Sequence, residues 1–437
     1  MLYTSSHILI KSSSYHILVL STCKHFRPNM SNVAIIGAGL SGLTLALALH
    51  QQGIASTVYE SRPTPLDIGG AVMLSPNALR ILDALGIYSV VAPRGYSFDR
   101  LDFRDGDENV TETYEFGSME KYGYSGMRIY RYELINALVA ALQENGIAIK
   151  YGHKFSHIAS EEDSSGVSFA FVDGSTETAN LLVGADGIHS TVRKHMYPDL
   201  ETRFLGMAGI TAAVPTAQLK LPTDGSYHIP VTIMTPAHGA FVIAPQHSDG
   251  SEVLIGKQRR VLEHERSQWE RAAVDKEEAI AFLQKDAEFF PDVVQNAVSQ
   301  ISLDKINVWP FYMVPKLDRW ASPSRRVIIL GDAAHAIPPS AGQGINQALE
   351  DVYTLALLLG RAGEIRDPQA SLDFWQQYRQ ARIDRVLALN HQIDLRRMPV
   401  GDSAITTGVS REPFDLNWLY KPDFKKDVGE WVASQKN

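Results

Sequence analysis

The 437-residue chain has a single cysteine, Cys23, so no intrachain disulfide can form. That excludes a small disulfide-stapled scaffold and fits a reducing, cytoplasmic setting. No apolar run reaches the ~18 residues that a membrane-crossing helix needs. A basic excess is missing too: 41 Lys and Arg stand against 49 Asp and Glu, a net charge of −8. A nucleic-acid binder would normally carry the opposite balance. Internal repeats and low-complexity linkers are absent, and no metal site is expected. Acidic side chains are lacking before Glu60, and residues 1–29 hold Lys11, Lys24, Arg27 and many serines. A secretory signal needs an apolar segment of about 7–15 residues and a small-residue cleavage site. The stretch 17–20 is shorter, and no such site follows it. Residues 1–30 are therefore read as an appendage to a fold starting near Met30, with a signal or transit segment as the alternative.

Hydrophobic residues are plentiful at 45%, with 21% charged, so a sizeable core can form and disorder cannot dominate. Three Gly/Asp-centred segments organise the chain. In the first, the apolar run Val33-Ala-Ile-Ile36 reads as a buried parallel strand and enters Gly37-Ala-Gly39-Leu-Ser-Gly42. A helical stretch and a second strand, Ser56–Tyr59, lead to Glu60. Gly37 permits the tight turn, Gly39 lets backbone approach a pyrophosphate, and Gly42 lets helix pack close on strand. The helix N-terminus offers free N–H groups to phosphates, and Glu60 stands where a ribose hydroxyl would donate. A dinucleotide site follows, without a choice between FAD and NAD.

The second segment runs from Leu181 through Gly184-Ala-Asp186-Gly187 to Ser190-Thr-Val-Arg193. An apolar strand stops at a turn, where Asp186 is a turn residue and Ser190 a helix N-cap. The third is Arg326-Val-Ile-Ile-Leu330-Gly-Asp332-Ala-Ala-His335, followed by Pro338-Pro339-Ser-Ala-Gly342-Gln343-Gly344-Ile345-Asn346 and a long amphipathic helix. Its glycines let backbone amides approach something flat or anionic, and the helix dipole stabilises negative charge there.

In this order the three segments resemble the class A FAD-dependent monooxygenases, hydroxylases related to para-hydroxybenzoate and salicylate hydroxylases. The resemblance spans roughly residues 32–362 and includes Glu60-Ser-Arg62-Pro63, the Gly69-Gly70-Ala71-Val72 stretch and Arg131-Tyr-Glu-Leu134. It implies an α/β fold: a Rossmann-like FAD-binding domain with a parallel sheet, a mostly antiparallel β-sheet substrate domain, and a C-terminal helical segment. It further implies that Gly37, Gly39, Gly42, Glu60 and Arg62 hold the adenosine diphosphate half of FAD. Gly70, Ala71 and Arg131 would lie beside the cofactor, with Arg131 reaching its phosphate or ribityl region. Asp186 would sit near its middle and Asp332 on the ribityl hydroxyls. Pro339, Gly342, Gln343, Gly344 and Ile345 would line the isoalloxazine, and His335 is read as structural. One fingerprint serves FAD alone, so NAD(P)H, with NADPH favoured, would bind transiently. The implied reaction inserts one atom of O2 into a small, aromatic or phenolic substrate through a flavin C4a-hydroperoxide.

Residues 31–200 and 305–365 are assigned to the FAD-binding domain, 201–304 to the substrate domain and 366–437 to the helical segment. Strands are expected over 207–214, 226–234, 239–244 and 252–256, then a charged helix over 260–287, and a return strand over 305–314. A phenol, with a pKa near ~10, needs a base or relay, for which Tyr312, Tyr227, His228 and His238 are candidates. Arg379, Arg382 and Arg385 are read as a solvated helix face. A halogenase is disfavoured because no Trp-x-Trp-x-Ile segment occurs. An alkene epoxidase or a flavin reductase stays open as an alternative, and so does a homodimer.

Overall fold

The computed structural model describes residues 32–65, 70–162, 166–260, 275–365, 367–397 and 414–435. The N-terminal appendage, Gly69 and much of the 260–287 stretch lie outside the described residues. The chain enters through β1 (Val33–Ile36), α1 (Leu40–Gln51) and β2 (Ser56–Tyr59). β3 (Ala71–Leu74), α2 (Pro76–Ala84) and β4 (Tyr96–Phe98) lead to the hairpin β5 (Arg100–Arg104) and β6 (Val110–Glu115). β7 (Gly126–Tyr130) runs straight into α3 (Arg131–Glu144) and on to β8 (Ala148–Lys150). A small antiparallel sheet follows, formed by β9 (Phe155–Glu162), β10 (Gly166–Phe171) and β11 (Thr176–Ala179). Then come β12 (Leu181–Gly184), α4 (Thr191–Met196), β13 (Arg203–Pro215), β14 (Val231–Thr235), β15 (Gly239–Pro245), β16 (Glu252–Arg260) and β17 (Ile306–Met313). β18 (Val327–Ile329), α5 (Gly344–Gly360) and α6 (Pro368–Arg397) complete the elements used below.

The nucleotide-type core is a parallel sheet in the order β18-β12-β1-β2-β8. All four residues of β1 and of β12 are buried, as continuous apolar runs require when both faces of a sheet are covered, and Phe169 and Phe171 of the small antiparallel sheet pack on Tyr59 of β2. The order places the C-terminal ends of β1, β12 and β18 side by side. The turns at Gly37, Asp186 and Asp332, far apart in sequence, therefore meet at one edge of the sheet, the usual ligand crevice of such folds.

A second, seven-stranded and mostly antiparallel sheet runs β17-β13-β16-β15-β14-β5-β6. It draws β5 and β6 from residues 100–115, which the sequence reading placed in the FAD-binding part. The expected strand 226–234 is shorter: β14 begins at Val231, directly after the Ile229–Pro230 cis peptide. The three-stranded sheet β3-β7-β4 bridges the two bodies.

The solvated arginine face on α6 is not found. Arg379 is 0% exposed and pairs with Glu350 and with Asp351 (Nε–Oδ1 2.8 Å), while Arg382 pairs with Glu350 at 2.6 Å. Periodicity explains the correction, because Arg379 and Arg382 share a helical stripe with the buried Trp375, Ile383 and Val386. Arg385 alone stays exposed, its guanidinium 4.0 Å from the Trp418 ring centroid.

Candidate active site

The first turn is fixed by backbone geometry. Gly37 has φ +106° and donates to the Tyr59 carbonyl at 2.8 Å; a Cβ there would come within 2.7 Å of the Ala185 oxygen. A Cβ on Gly42 would lie 2.0 Å from the Gly37 oxygen, so α1 can approach β1 only over a glycine. Gly39 differs: a Cβ there would meet nothing within 4 Å, and no side chain caps the helix it opens. The first turn of α1 thus presents backbone N–H groups to open space, a ready cradle for phosphate. Glu60 is buried and accepts from Ala38 N (2.9 Å) and Arg62 N (2.9 Å), with Arg62 Nε at 3.1 Å. Burial would raise its carboxyl, but these backbone donors and the Arg62 guanidinium hold it below the usual range. Oε1 also accepts from Ser61 Oγ at 3.1 Å and is fully engaged, so Oε2, whose one short donor is Ala38 N, is the oxygen left for a ribose hydroxyl.

Arg131 and Asp332 lie deep in the protein mass, yet both are open to water, so they line a narrow cleft rather than packing in the core. They face each other electrostatically, and Arg62 is felt at Arg131 as well. Burial pushes the Asp332 carboxyl up, with Arg131 and His335 opposing. Asp186 Oδ2 accepts from Thr191 N (2.7 Å) and Val192 N (3.1 Å) at the start of α4. Ser190 caps the same helix through Arg193 N at 2.8 Å. Asp186 Oδ1 is buried without a hydrogen-bond partner, and burial raises this carboxyl too. An orphaned acceptor, an open phosphate cradle and a deep, water-open Arg/Asp pair along one sheet edge match the polar middle of a dinucleotide. FAD fits these residues. Gly70 accepts from Arg131 N at 3.4 Å, and Ala71 opens β3, so this pair holds the entry to α3 beside the cleft.

The third segment forms a loop whose back is braced by buried charge. Asp351 Oδ2 accepts from Gly331 N (3.0 Å) and contacts His335 Nε2 at 2.5 Å, so this histidine is buried against a carboxylate behind the loop. On α6, Asn390 grips the loop twice, accepting from Ala341 N (2.7 Å) and donating to the Pro338 carbonyl (3.1 Å). The Gln343 side chain departs from expectation. It is fully buried and donates to Ser75 Oγ at 2.9 Å, so it offers the site only its backbone. Gly344 opens α5 with nothing within 4 Å of its Cβ position and no side-chain cap. Pro339 is exposed and Ile345 half-buried. The bracing roles of Glu350 and Asp351 on α5 and of Arg379 and Asn390 on α6 were missed by sequence reasoning; polar residues on the apolar stripes of these two helices were the available signal.

Facing the loop is an aromatic wall. A Cβ on Gly342 would lie 3.3 Å from the Phe116 ring and 3.8 Å from Met73. Phe98 stacks on Phe116 with centroids 5.2 Å apart. Beyond them a cavity of ≈ 40 Å³ is lined by Phe103, Tyr114, Met234, Ile393 and Phe414. Of the candidate bases, Tyr312 sits near the second turn, its ring 6.0 Å from His189 and 5.3 Å from Phe204. Tyr227 packs with the cluster on the other face of the seven-stranded sheet, and Arg104 covers its ring at 4.2 Å. His228 is exposed, and His238 stacks on Phe289 at 4.3 Å. The structure therefore does not bring these three to the wall around Gly342.

A family model described as an FAD binding domain matches residues 30–390. The chain belongs to the class A FAD-dependent monooxygenases. This monooxygenase is 29% identical over 368 residues to a 3-amino-4-hydroxybenzoate 2-monooxygenase of Streptomyces platensis, covering 83% of this chain and 87% of the relative. It is 28% identical over 392 residues to the hispidin-3-hydroxylase of Neonothopanus nambi, covering 83% and 88%. Its fold matches that of Klebsiella pneumoniae HpxO complexed with FAD and uric acid, with a TM-score of 0.72, 21% identity and coverage of 94% and 98%.

Proposed function

We propose that this monooxygenase hydroxylates a small aromatic or phenolic substrate, using NAD(P)H as reductant and one atom of O2. The observation that carries the proposal is the aromatic wall of Phe116, Phe98 and Met73 set against the Gly342 turn. A ring entering there lies between apolar faces and beside the N-terminus of α5. The relatives named above support it, since their names specify an aminohydroxybenzoate and hispidin as substrates.

When bound, FAD supplies the electron transfer and the activation of oxygen. The chain does the rest. Gly37, Gly39 and the first turn of α1 hold the pyrophosphate, Glu60 and Arg62 the adenosine side, and Arg131 with Asp332 the ribityl region. The backbone N–H groups of Gln343 and Gly344 and the α5 dipole would stabilise negative charge on a ring edge placed against them, while Gly342 N closes the turn on the Pro339 carbonyl at 2.8 Å. The aromatic wall of Phe98 and Phe116 would exclude water from the space beside the Gly342 turn. Tyr312, close to the Asp186 turn, is the candidate to relay a substrate hydroxyl proton. The single fingerprint implies transient nicotinamide binding. Among the described residues no helix is long and apolar enough to cross a membrane, and a cytoplasmic enzyme acting on a free small molecule is proposed.

The test is purified, FAD-loaded protein with NADPH or NADH and a panel of phenols, salicylates and hydroxybenzoates, with product mass and hydrogen peroxide measured together. Substrate-stimulated oxidation giving a product one oxygen heavier, with little peroxide, is the expected result. Turnover with alkenes only, or reduction without oxygen insertion, would overturn the proposal.

A further inference from the structure

Arg128, at the centre of β7, is 6% exposed and has no carboxylate partner among the described residues. Among the described residues its guanidinium makes one hydrogen bond, from Nη2 to Gln246 Oε1 at 2.9 Å, and its buried Nε makes none. Burial pulls the guanidinium down to about 10, so it remains charged at neutral pH. Natural proteins rarely accept a buried cation without a counter-charge. Nearby Glu252 does not supply it, being engaged by the Tyr130 hydroxyl and by Lys305 at 3.3 Å.

Strand register tells where this cation looks. Arg128 stands opposite Met73 on β3 and opposite Tyr96 on β4, and directly paired residues share a face of the sheet. The other face, with Met127, Ile129 and Leu74, packs into the core of the FAD-binding body. Met73 and Tyr96 belong instead to the cluster of Phe98, Phe116 and Ala341, the wall against the Gly342 turn. The β15–β16 turn closes over this face: Gln246 is buried there, and the Gly250 Cβ position lies 3.1 Å from the Tyr96 ring. Arg128 is thus a fixed positive charge with unused donors at the rim of the aromatic wall.

We propose that Arg128, oriented by Gln246, recognises a carboxylate carried on the aromatic substrate. The inference rests on the aromatic-substrate reading above and deepens it: the ring packs between apolar faces while its acid group receives the guanidinium. A planar fork of N–H donors suits a carboxylate in two-point contact. The same site discriminates against neutral analogues, because they would leave the buried charge unpaired.

The experiment is ligand titration of the FAD-loaded enzyme, read by perturbation of the flavin absorbance and therefore independent of turnover. The probes are salicylate and 4-hydroxybenzoate, each beside its carboxamide, with chloride and phosphate as competitors. Wild type should bind at least one acid about 10–100-fold more tightly than its amide, the range for a charge-assisted hydrogen bond. Arg128→Met should reduce that preference to within about threefold at unchanged FAD content. Gln246→Glu keeps the arginine but gives it an internal partner; it should raise thermal stability and also abolish acid preference. A purely structural Arg128 would allow the stability gain and leave ligand preference untouched. Acid preference surviving in both variants, no acid preference in wild type, or competition by chloride or phosphate as strong as that by the acids would each overturn the proposal. Oxygenation of neutral phenols without acid preference would sink this inference while sparing the aromatic-hydroxylase reading. The reverse pattern, acid binding without oxygenation of any ring, would do the opposite.

Discussion

Glycines at three positions of one turn have three separable physical roles. At Gly42 a methyl group collides with the Gly37 oxygen, whereas at Gly39 it enters empty space. Gly42→Ala should therefore lower the melting temperature of the apoprotein and its FAD content together. Gly39→Ala should leave apoprotein stability within about 0.5 kcal/mol of wild type, as for a substitution touching nothing. Its FAD affinity should nevertheless fall by an order of magnitude or more, since the methyl occupies the space the phosphates need. Thermal melts of deflavinated protein and fluorescence titration with FAD separate the two; equal stability losses would contradict the assignment. These residues were legible from sequence because turn, close approach and helix contact each demand glycine on steric grounds alone. Arg128 was not legible, since a lone arginine in the strand Gly126–Tyr130 announces neither its burial nor its missing counter-charge.

At the scale of elements, α5 and α6 are joined by buried ions where apolar packing would be expected. Arg379 bonds both Glu350 and Asp351, and Asp351 in turn holds Gly331 N and His335. Arg379→Met leaves two buried carboxylates short of charge, which should cost about 3–5 kcal/mol. Since Asp351 also sets the Gly331 turn, the variant should release FAD at lower denaturant than wild type. Denaturant melts followed in parallel by protein and flavin fluorescence check this, and an unchanged flavin midpoint would refute the link. Both helices could be read from their period, and so could the strands around the Gly/Asp turns. The contact between them could not, because charged residues on a helix suggest water until the partner helix is known. The hairpin β5–β6 joining the far sheet was hidden for a related reason: strand propensity says nothing of which sheet a strand enters.

For the whole molecule, buried carboxylates act on stability in opposite directions. Burial would raise Asp351 and Glu350, but the neighbouring His335, Arg379 and Arg382 hold both below the usual range. Their contribution is present above the unfolded values near ~4 and is lost as pH falls through the folded ones. Asp186 and Asp332 are raised, so the folded apoprotein binds their protons more readily than the unfolded chain does. That contribution is present below ~4 and fades as pH rises through the folded values. Apoprotein stability should therefore peak on the acid side of neutrality and collapse below pH ~4, a profile that urea melts from pH 3 to 8 would trace. A maximum at or above pH 8 would refute it. The grip of Asn390 on both ends of the 338–341 loop has a consequence for biosynthesis. The ribosome makes the phosphate cradle at Gly37–Gly42 first and the residue that fixes the opposite wall hundreds of codons later. A nascent chain can begin to fold around its early strands, but the vitamin-derived cofactor can be locked in only after Asn390 has been added.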